Sequence, residues 1–309
     1  MPAVCRGIRA RRVSPRPRWE GDNAVNTATA TAPASSANLG PGYDVLALAL
    51  DLRCRVTVAP ASSWAILSAG APAETEGAGL VTRAAQAVAP ELGPLRVEVE
   101  SEIPVGRGLG SSAALIAATT GAALRLAGGQ PSPAGLLPAA AVVEGHPDNV
   151  AASLFGGLVA VGAAGEVRSL EMHPSLEVLV AVPDARLATV AARAVTAGPV
   201  ETGVAARTAA RVVMLVEGLR TADPEALAAA AGDEIHESRR AHLSPVTGEV
   251  IGAARRAGAL HACWSGAGPA VLAVVTRPVA DAVRRSMAET LGQGYVLSPG
   301  IDRLGLLVG

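Results

Sequence analysis

The stretch Pro104-Val105-Gly106-Arg107-Gly108-Leu109-Gly110-Ser111-Ser112-Ala113-Ala114 has the makings of an oxyanion cradle. Alternate glycines let backbone approach a charged group with no Cβ in the way. A helix opening near Ser112 would add unpaired N–H groups and the positive end of its dipole. The paired serines bring hydroxyls within reach of a cation, and Ala113-Ala114 leave room for another backbone to pack on the helix start. Alone, the stretch fits a flexible strand-to-helix connection equally well. It is no Walker A loop, because the G-K-[ST] ending is missing, and no acid follows at about 20 residues as a dinucleotide fold requires.

A bound phosphate calls for a hard cation, and Mg²⁺ takes one or two carboxylates together with phosphate oxygens and water. Glu144, at a helix end beside Gly145, is placed for that work, although a lone glutamate is ordinarily a solvated surface group. His146, Asp148 and Asn149 follow in a Gly/Pro-interrupted loop, where simple turn chemistry competes with hydrogen bonding to a substrate. Asp148 is also a candidate base. Asn38 and Asp44 flank the turn Leu39-Gly40-Pro41-Gly42-Tyr43, and Asp44 would serve as well as a helix N-cap. Ser265-Gly266-Ala267-Gly268-Pro269, between two apolar stretches, reads as a hairpin turn or as a second backbone closing on the glycine loop.

Composition narrows the chemistry. All 26 basic residues among the 309 are arginines, so a Schiff-base lysine, a lysine base and a Walker lysine are excluded. A net charge of −1 gives no general pull toward nucleic acid or an acidic membrane, and neither is expected as a partner. Half the residues are hydrophobic but only 2% aromatic, which specifies an aliphatic core, and the length suggests two domains. Cys5, Cys54 and Cys263 form no C-x-x-C spacing and fit a reducing, cytoplasmic setting. No run is apolar enough for a transmembrane helix. Residues 1–26 carry six arginines and no apolar period and are expected to be a disordered tail, either a targeting segment or an upstream extension.

The elements that must position these groups follow from pattern. An alternating strand begins near Asn26. Residues 45–50 read as helix or strand, followed by a strand over 53–58; 79–89 read as helix and 95–101 as a half-buried strand. A long Ala/Leu helix spans 112–126 and stops at Gly128-Gly129; another ends at Glu144, and a strand is predicted over 154–161. Beyond it come strand 176–182, helices 187–195, 202–219, 224–236 and 246–257, strands 259–264 and 270–275, helix 278–291 and a strand near 295–298. The irregular alternation favours α+β over a doubly wound sheet.

In this order, Ser36–Asp44, the glycine loop, Glu144-Gly145-His146-Pro147-Asp148-Asn149-Val150 and Ser265–Pro269 resemble the motifs of the GHMP kinase superfamily, most closely its members that phosphorylate homoserine. The resemblance implies an α+β fold of two domains: an N-terminal one like the second domain of ribosomal protein S5 (27–168), and a ferredoxin-like C-terminal one (169–309). ATP would lie between them on Pro104 to Ala114, with Ser112 and Glu144 holding Mg²⁺. In the homoserine-phosphorylating members an asparagine stands where several relatives carry a catalytic aspartate, so Asn149 would orient the acceptor hydroxyl, making Ser112, Glu144 and Asn149 the catalytic set. Asn38 and Asp44 match the ammonium side of the amino-acid pocket, His146 its hydrogen-bonding wall, and Thr189 with Arg193 the T-x-x-A-R feature. Arg240, after the D-x-x-H of Asp233 to His236, would clamp the carboxylate, with Arg239 a rival. Ala270 in place of a frequent threonine, Trp264, and the five-residue gap from Glu144 to Asn149 depart from the pattern. A homodimer is expected on the same ground. Alternatives are a kinase of another hydroxy-amino acid such as threonine, and a silent ligand-binding relative. His173, His242 and His261 are read as structural or surface residues.

Overall fold

Short side chains dictate the first sheet. The computed structural model describes residues 26–68, 71–72 and 75–309, so the tail expected over 1–26 lies outside the described residues apart from Asn26. β1 (Ala28–Asn38) is built of Ala, Thr, Ser and Pro, small enough for burial on both faces from Ala32 onward. Its antiparallel neighbour β2 (Gly42–Pro60) is one strand of 19 residues, replacing the two elements expected over 45–58. Asp51 and Arg53 do not break it, because Arg53 is ion-paired with Asp302 and hydrogen-bonded to Thr31 and Gly305.

β3 (Ala65–Ser68), β4 (Ala71–Pro72) and β5 (Leu95–Ser101) extend this sheet along the second half of β2, with β3 parallel to β5. β6 (Leu158–Val161) and β7 (Val167–Leu170) extend it along the first half. Four helices pack on it: α1 (Thr75–Val88), α2 (Ser111–Leu126), α3 (Pro133–Glu144) and α4 (Asp148–Phe155). α2 is buried nearly all round, which its Ala, Thr and Gly residues permit. α4 corrects the expected loop and strand. Gly145, at φ 93°, ends α3, and after His146-Pro147 the chain turns helical at once, with Asp148 accepting from the Asn149 N–H at 2.7 Å.

The second sheet has the order β11-β8-β10-β9, antiparallel throughout, from β8 (Leu176–Pro183), β9 (His261–Trp264), β10 (Val271–Thr276) and β11 (Gly294–Leu297). Between β8 and β9 run α5 (Thr189–Ala194), α6 (Thr202–Thr221), α7 (Pro224–Ala229), α8 (Glu237–Arg240) and α9 (Pro245–Arg256); α10 (Arg277–Leu291) joins β10 to β11. The path β8-α9-β9-β10-α10-β11 is the split βαβ pattern of ferredoxin-like domains, with α9 and α10 contributing Val250, Ile251, Val283 and Met287 to its core. The helix expected over 224–236 stops at Ala229. Gly232 takes φ 85°, and the Asp233 carboxylate accepts from the N–H groups of Ile235, His236 and Glu237, so the chain restarts as α8.

We propose the division 27–168 and 169–309 with two amendments. β7 runs to Leu170, and β12 (Leu307–Val308) returns to pair with β1. His261 on β9 joins the two parts, its Nε2–H donating to the Leu39 carbonyl at 3.0 Å. Burial pushes its pKa from 6.5 down to about 4. Across that window the unfolded chain binds the proton and the folded chain does not, so stability is full above about pH 6.5 and falls toward pH 4. Wild type is expected to lose about 3 kcal/mol more than His261→Asn between pH 7 and pH 4, measured by urea unfolding.

Candidate active site

The glycine loop leads into α2, and Gly106, Gly108 and Gly110 take φ of 70°, 76° and 64°, values that disfavour any side chain. They face protein as well as cleft. A Cβ on Gly108 would lie 2.1 Å from the Ser265 carbonyl oxygen and 2.7 Å from the Gly268 nitrogen. Ser265 Oγ donates to the Gly108 carbonyl at 2.7 Å, and Ala270 N–H to the Arg107 carbonyl at 3.2 Å, so the 265–270 turn clasps the loop from behind. Gly108→Ala must therefore push this turn away, and kcat/KM for ATP is expected to fall by at least about tenfold in steady-state assays.

A cleft of about 540 Å³ opens in front of the loop. Pro104, Gly106, Gly108, Leu109, Gly110, Ser111, Ser112, Glu144, His146, Asn149, Thr189, Arg193, Arg240 and Asn38 all line it. Val105 lines it too, whereas Arg107, Ala113 and Ala114 point elsewhere. The Arg107 guanidinium donates to the carbonyls of Val105, Pro183 and Asp184, stapling the loop to the end of β8, while Ala113 and Ala114 are buried in the core.

At the first turn of α2, Ser112 Oγ donates to Glu144 Oε1 at 2.5 Å, which brings two hard oxygen donors together beside free helix N–H groups. Burial pushes the Glu144 pKa up, and the Ser112 hydroxyl pulls it back. His146 Nδ1 and Asp148 Oδ1 are 2.6 Å apart. Burial opposes the charged imidazole most strongly of any single cause, but the hydrogen bond and the negative charge of Asp148, with that of Glu144, together outweigh it and raise the pKa. With Asp148 engaged by His146 and by the Asn149 N–H, its carboxylate orients neighbours. Among the described residues no group of three or more His, Cys, Asp or Glu side chains is arranged to hold a metal.

At the other end of the cleft Asn38 bridges the turn, Nδ2 donating to the Gly266 carbonyl at 2.9 Å and Oδ1 accepting from the Asp44 N–H at 3.1 Å. Asp44 caps no helix. It lies in β2 at φ 57°, and its carboxylate takes both Arg193 guanidinium nitrogens, at 2.6 and 3.3 Å. Arg240 is 1% exposed, donating to the carbonyls of Ala192 and Gly266 and to His236 Nδ1. Burial lowers the His236 pKa, which keeps the ring neutral and able to accept. Tyr43 stacks on His236 at 5.1 Å between ring centroids, with both arginines within 6 Å of its ring. Arg239 turns away to the carbonyls of Thr196, Ala197 and Pro199.

Three contributors escaped the sequence reading. Arg186 lines the cleft beside Gly106, and no local pattern marks it. His236 carries Arg240, which the i, i+4 spacing on one helical turn could have suggested. Ile66, Leu80, Val81 and Val99 give the cleft an apolar end, visible only once β3, β5 and α1 are assembled.

Residues 79–157 match the family model of the GHMP kinases N terminal domain, and residues 215–293 that of the GHMP kinases C terminal. The chain belongs to the GHMP kinases, and ATP is its phosphoryl donor. It is 40% identical to the homoserine kinase of Moorella thermoacetica over 198 residues, 62% of this chain and 67% of that protein. With the homoserine kinase of Desulfitobacterium hafniense it shares 36% over 232 residues, 72% and 77% of the two chains. The crystal structure of homoserine kinase from Cytophaga hutchinsonii superimposes with a TM-score of 0.81 at 27% identity, covering 94% of this chain and 100% of that one. These similarities bear out the two-domain α+β fold expected from the motifs.

Proposed function

We propose that this kinase transfers the γ-phosphoryl group of ATP to the side-chain hydroxyl of L-homoserine, giving O-phospho-L-homoserine. The observation that carries the reading is the polarity of the cleft. One end presents loop and helix N–H groups with the Ser112–Glu144 oxygen pair; the other presents Arg193 and Arg240, with Asp44, which does not itself line the cleft, paired to Arg193 beside it. The first end suits a triphosphate and the second a zwitterion, so a phosphate and an amino acid meet near Asn149. Similarity to homoserine kinases at 36–40% identity supports the same substrate.

Ser112 and Glu144 fit Mg²⁺, since one carboxylate and one hydroxyl leave its remaining positions to phosphate oxygens and water. Mg²⁺ bound there supplies positive charge to the phosphate oxygens. The loop and the first turn of α2 hold the β- and γ-phosphates; Asn149 and His146 hold the hydroxyl in line, and the two arginines fix the carboxylate. ADP release measured with Mg²⁺ and ATP over homoserine, threonine, serine and an isoprenoid alcohol tests the reading: homoserine is expected to give the highest kcat/KM, and preference for another alcohol overturns it.

A further inference from the structure

Ser35 is wholly buried in β1, and its hydroxyl reaches Asn149. The Oγ donates to Asn149 Oδ1 at 2.9 Å and, at a longer 3.3 Å, to the backbone carbonyl of the same residue. A carboxamide has an acceptor end and a donor end. With Oδ1 held by Ser35, the Nδ2 end keeps its two N–H groups, which make no hydrogen bond to the other described residues, and Asn149 lines the cleft.

The surroundings hold this bond in place. Ser35 N–H donates to the Leu109 carbonyl at 3.1 Å, tying β1 to the glycine loop. A Cβ on Gly110 would lie 2.1 Å from Ser35 Oγ and 3.1 Å from Asn149 Oδ1, so a glycine here leaves the space that the contact occupies. Neighbouring Ser36 shares a hydroxyl–hydroxyl hydrogen bond with Ser265 at 2.9 Å, so the two adjacent serines link β1 to the start of α4 on one side and to the turn behind the phosphate loop on the other.

We infer that Ser35 is a positioning residue that fixes the polarity of Asn149, turning its N–H donors toward the oxygen of the acceptor alcohol. This rests on the kinase reading and deepens it. Asn149 then acts as a donor that orients the hydroxyl lone pairs toward the phosphate and takes up no proton itself; the hydroxyl proton passes to an oxygen of the transferred phosphate as the new O–P bond forms and the bond to ADP breaks. Without the Ser35 hydroxyl the productive orientation loses the hydrogen bond that favours it and becomes a minor one.

The test is a double-mutant cycle with full steady-state kinetics and melting temperatures. Ser35→Ala is expected to lower kcat about tenfold, the worth of one buried hydrogen bond, with KM for ATP and alcohol within about twofold. In an Asn149→Ala background the same change should alter kcat by less than about twofold. A tenfold loss in both backgrounds overturns the inference, since Ser35 would then act through the loop and not the amide. Asn149→Asp gives an independent reading: one carboxylate oxygen still accepts from Ser35, but the other offers no donor, so kcat should fall as far as in Asn149→Ala. Retention of activity in Asn149→Asp overturns the donor role, even if Ser35→Ala fails to fold. Wild type is assayed in parallel on homoserine and threonine; turnover of threonine alone overturns the substrate reading, and the cycle is then read on threonine.

Discussion

Glu144→Gln lowers kcat by about a hundredfold or more while the protein keeps its melting temperature. The amide is nearly isosteric, and its oxygen can still accept from Ser112, which donates to Glu144 Oε1 at 2.5 Å. What is lost is the charge. A neutral carbonyl oxygen is a poorer ligand for Mg²⁺ than a carboxylate, and the loss falls on the step in which negative charge moves across the phosphates. Burial already disfavours the charged carboxyl, so removing the charge does not destabilise the fold. Steady-state kinetics over a Mg²⁺ titration, with calorimetry alongside, check both halves. A kcat within about threefold of wild type at saturating Mg²⁺ would show that the cation is held elsewhere.

The glycine loop, its helix and the Glu144 segment were legible because their chemistry is local. Positive φ at alternate residues and an Ala-rich helix start are written in consecutive letters. The glycines nevertheless have a second reason that consecutive letters do not show: Gly108 and Gly110 make room for Ser265 and Ser35, which come from other parts of the chain. α4 was missed for a related cause. Gly145 and Pro147 are the usual marks of a loop, yet here they separate two helices by so little that Asp148 and Asn149 start the second. In β2 the charged pair Asp51 and Arg53 masked a continuous strand, because the partner of Arg53, Asp302, lies at the far end of the chain. The individual roles of Asp44 and Arg193 were suggested by motif, but their mutual ion pair depends on how α5 folds over the turn after β1.

That ion pair shapes the last expected result. With Asp44 and Arg193 bound to each other, an amino acid held as proposed exchanges one pair for two: its ammonium would take Asp44 and its carboxylate Arg193 with Arg240. Arg240→Met removes a buried guanidinium together with its bonds to Ala192, Gly266 and His236, so homoserine KM is expected to rise about 30-fold or more, with some loss of melting temperature. Asp44 and Arg193 are each about one-third exposed, at 36% and 33%, and solvent screens their interaction, so Asp44→Ala is expected to raise homoserine KM less, by about tenfold. The discriminating compound is 4-hydroxybutyrate, homoserine without its amino group. It has no ammonium to lose, and Asp44→Ala frees Arg193 for its carboxylate, so its KM should stay level or fall, while Arg240→Met raises it as it does for homoserine. ATP KM should move little in either variant, since the glycine loop proposed to hold the nucleotide lies at the opposite end of the cleft. Equal sensitivity of both compounds to Asp44→Ala would remove the ammonium contact from the pocket, because the only difference between them is the group that Asp44 is meant to bind.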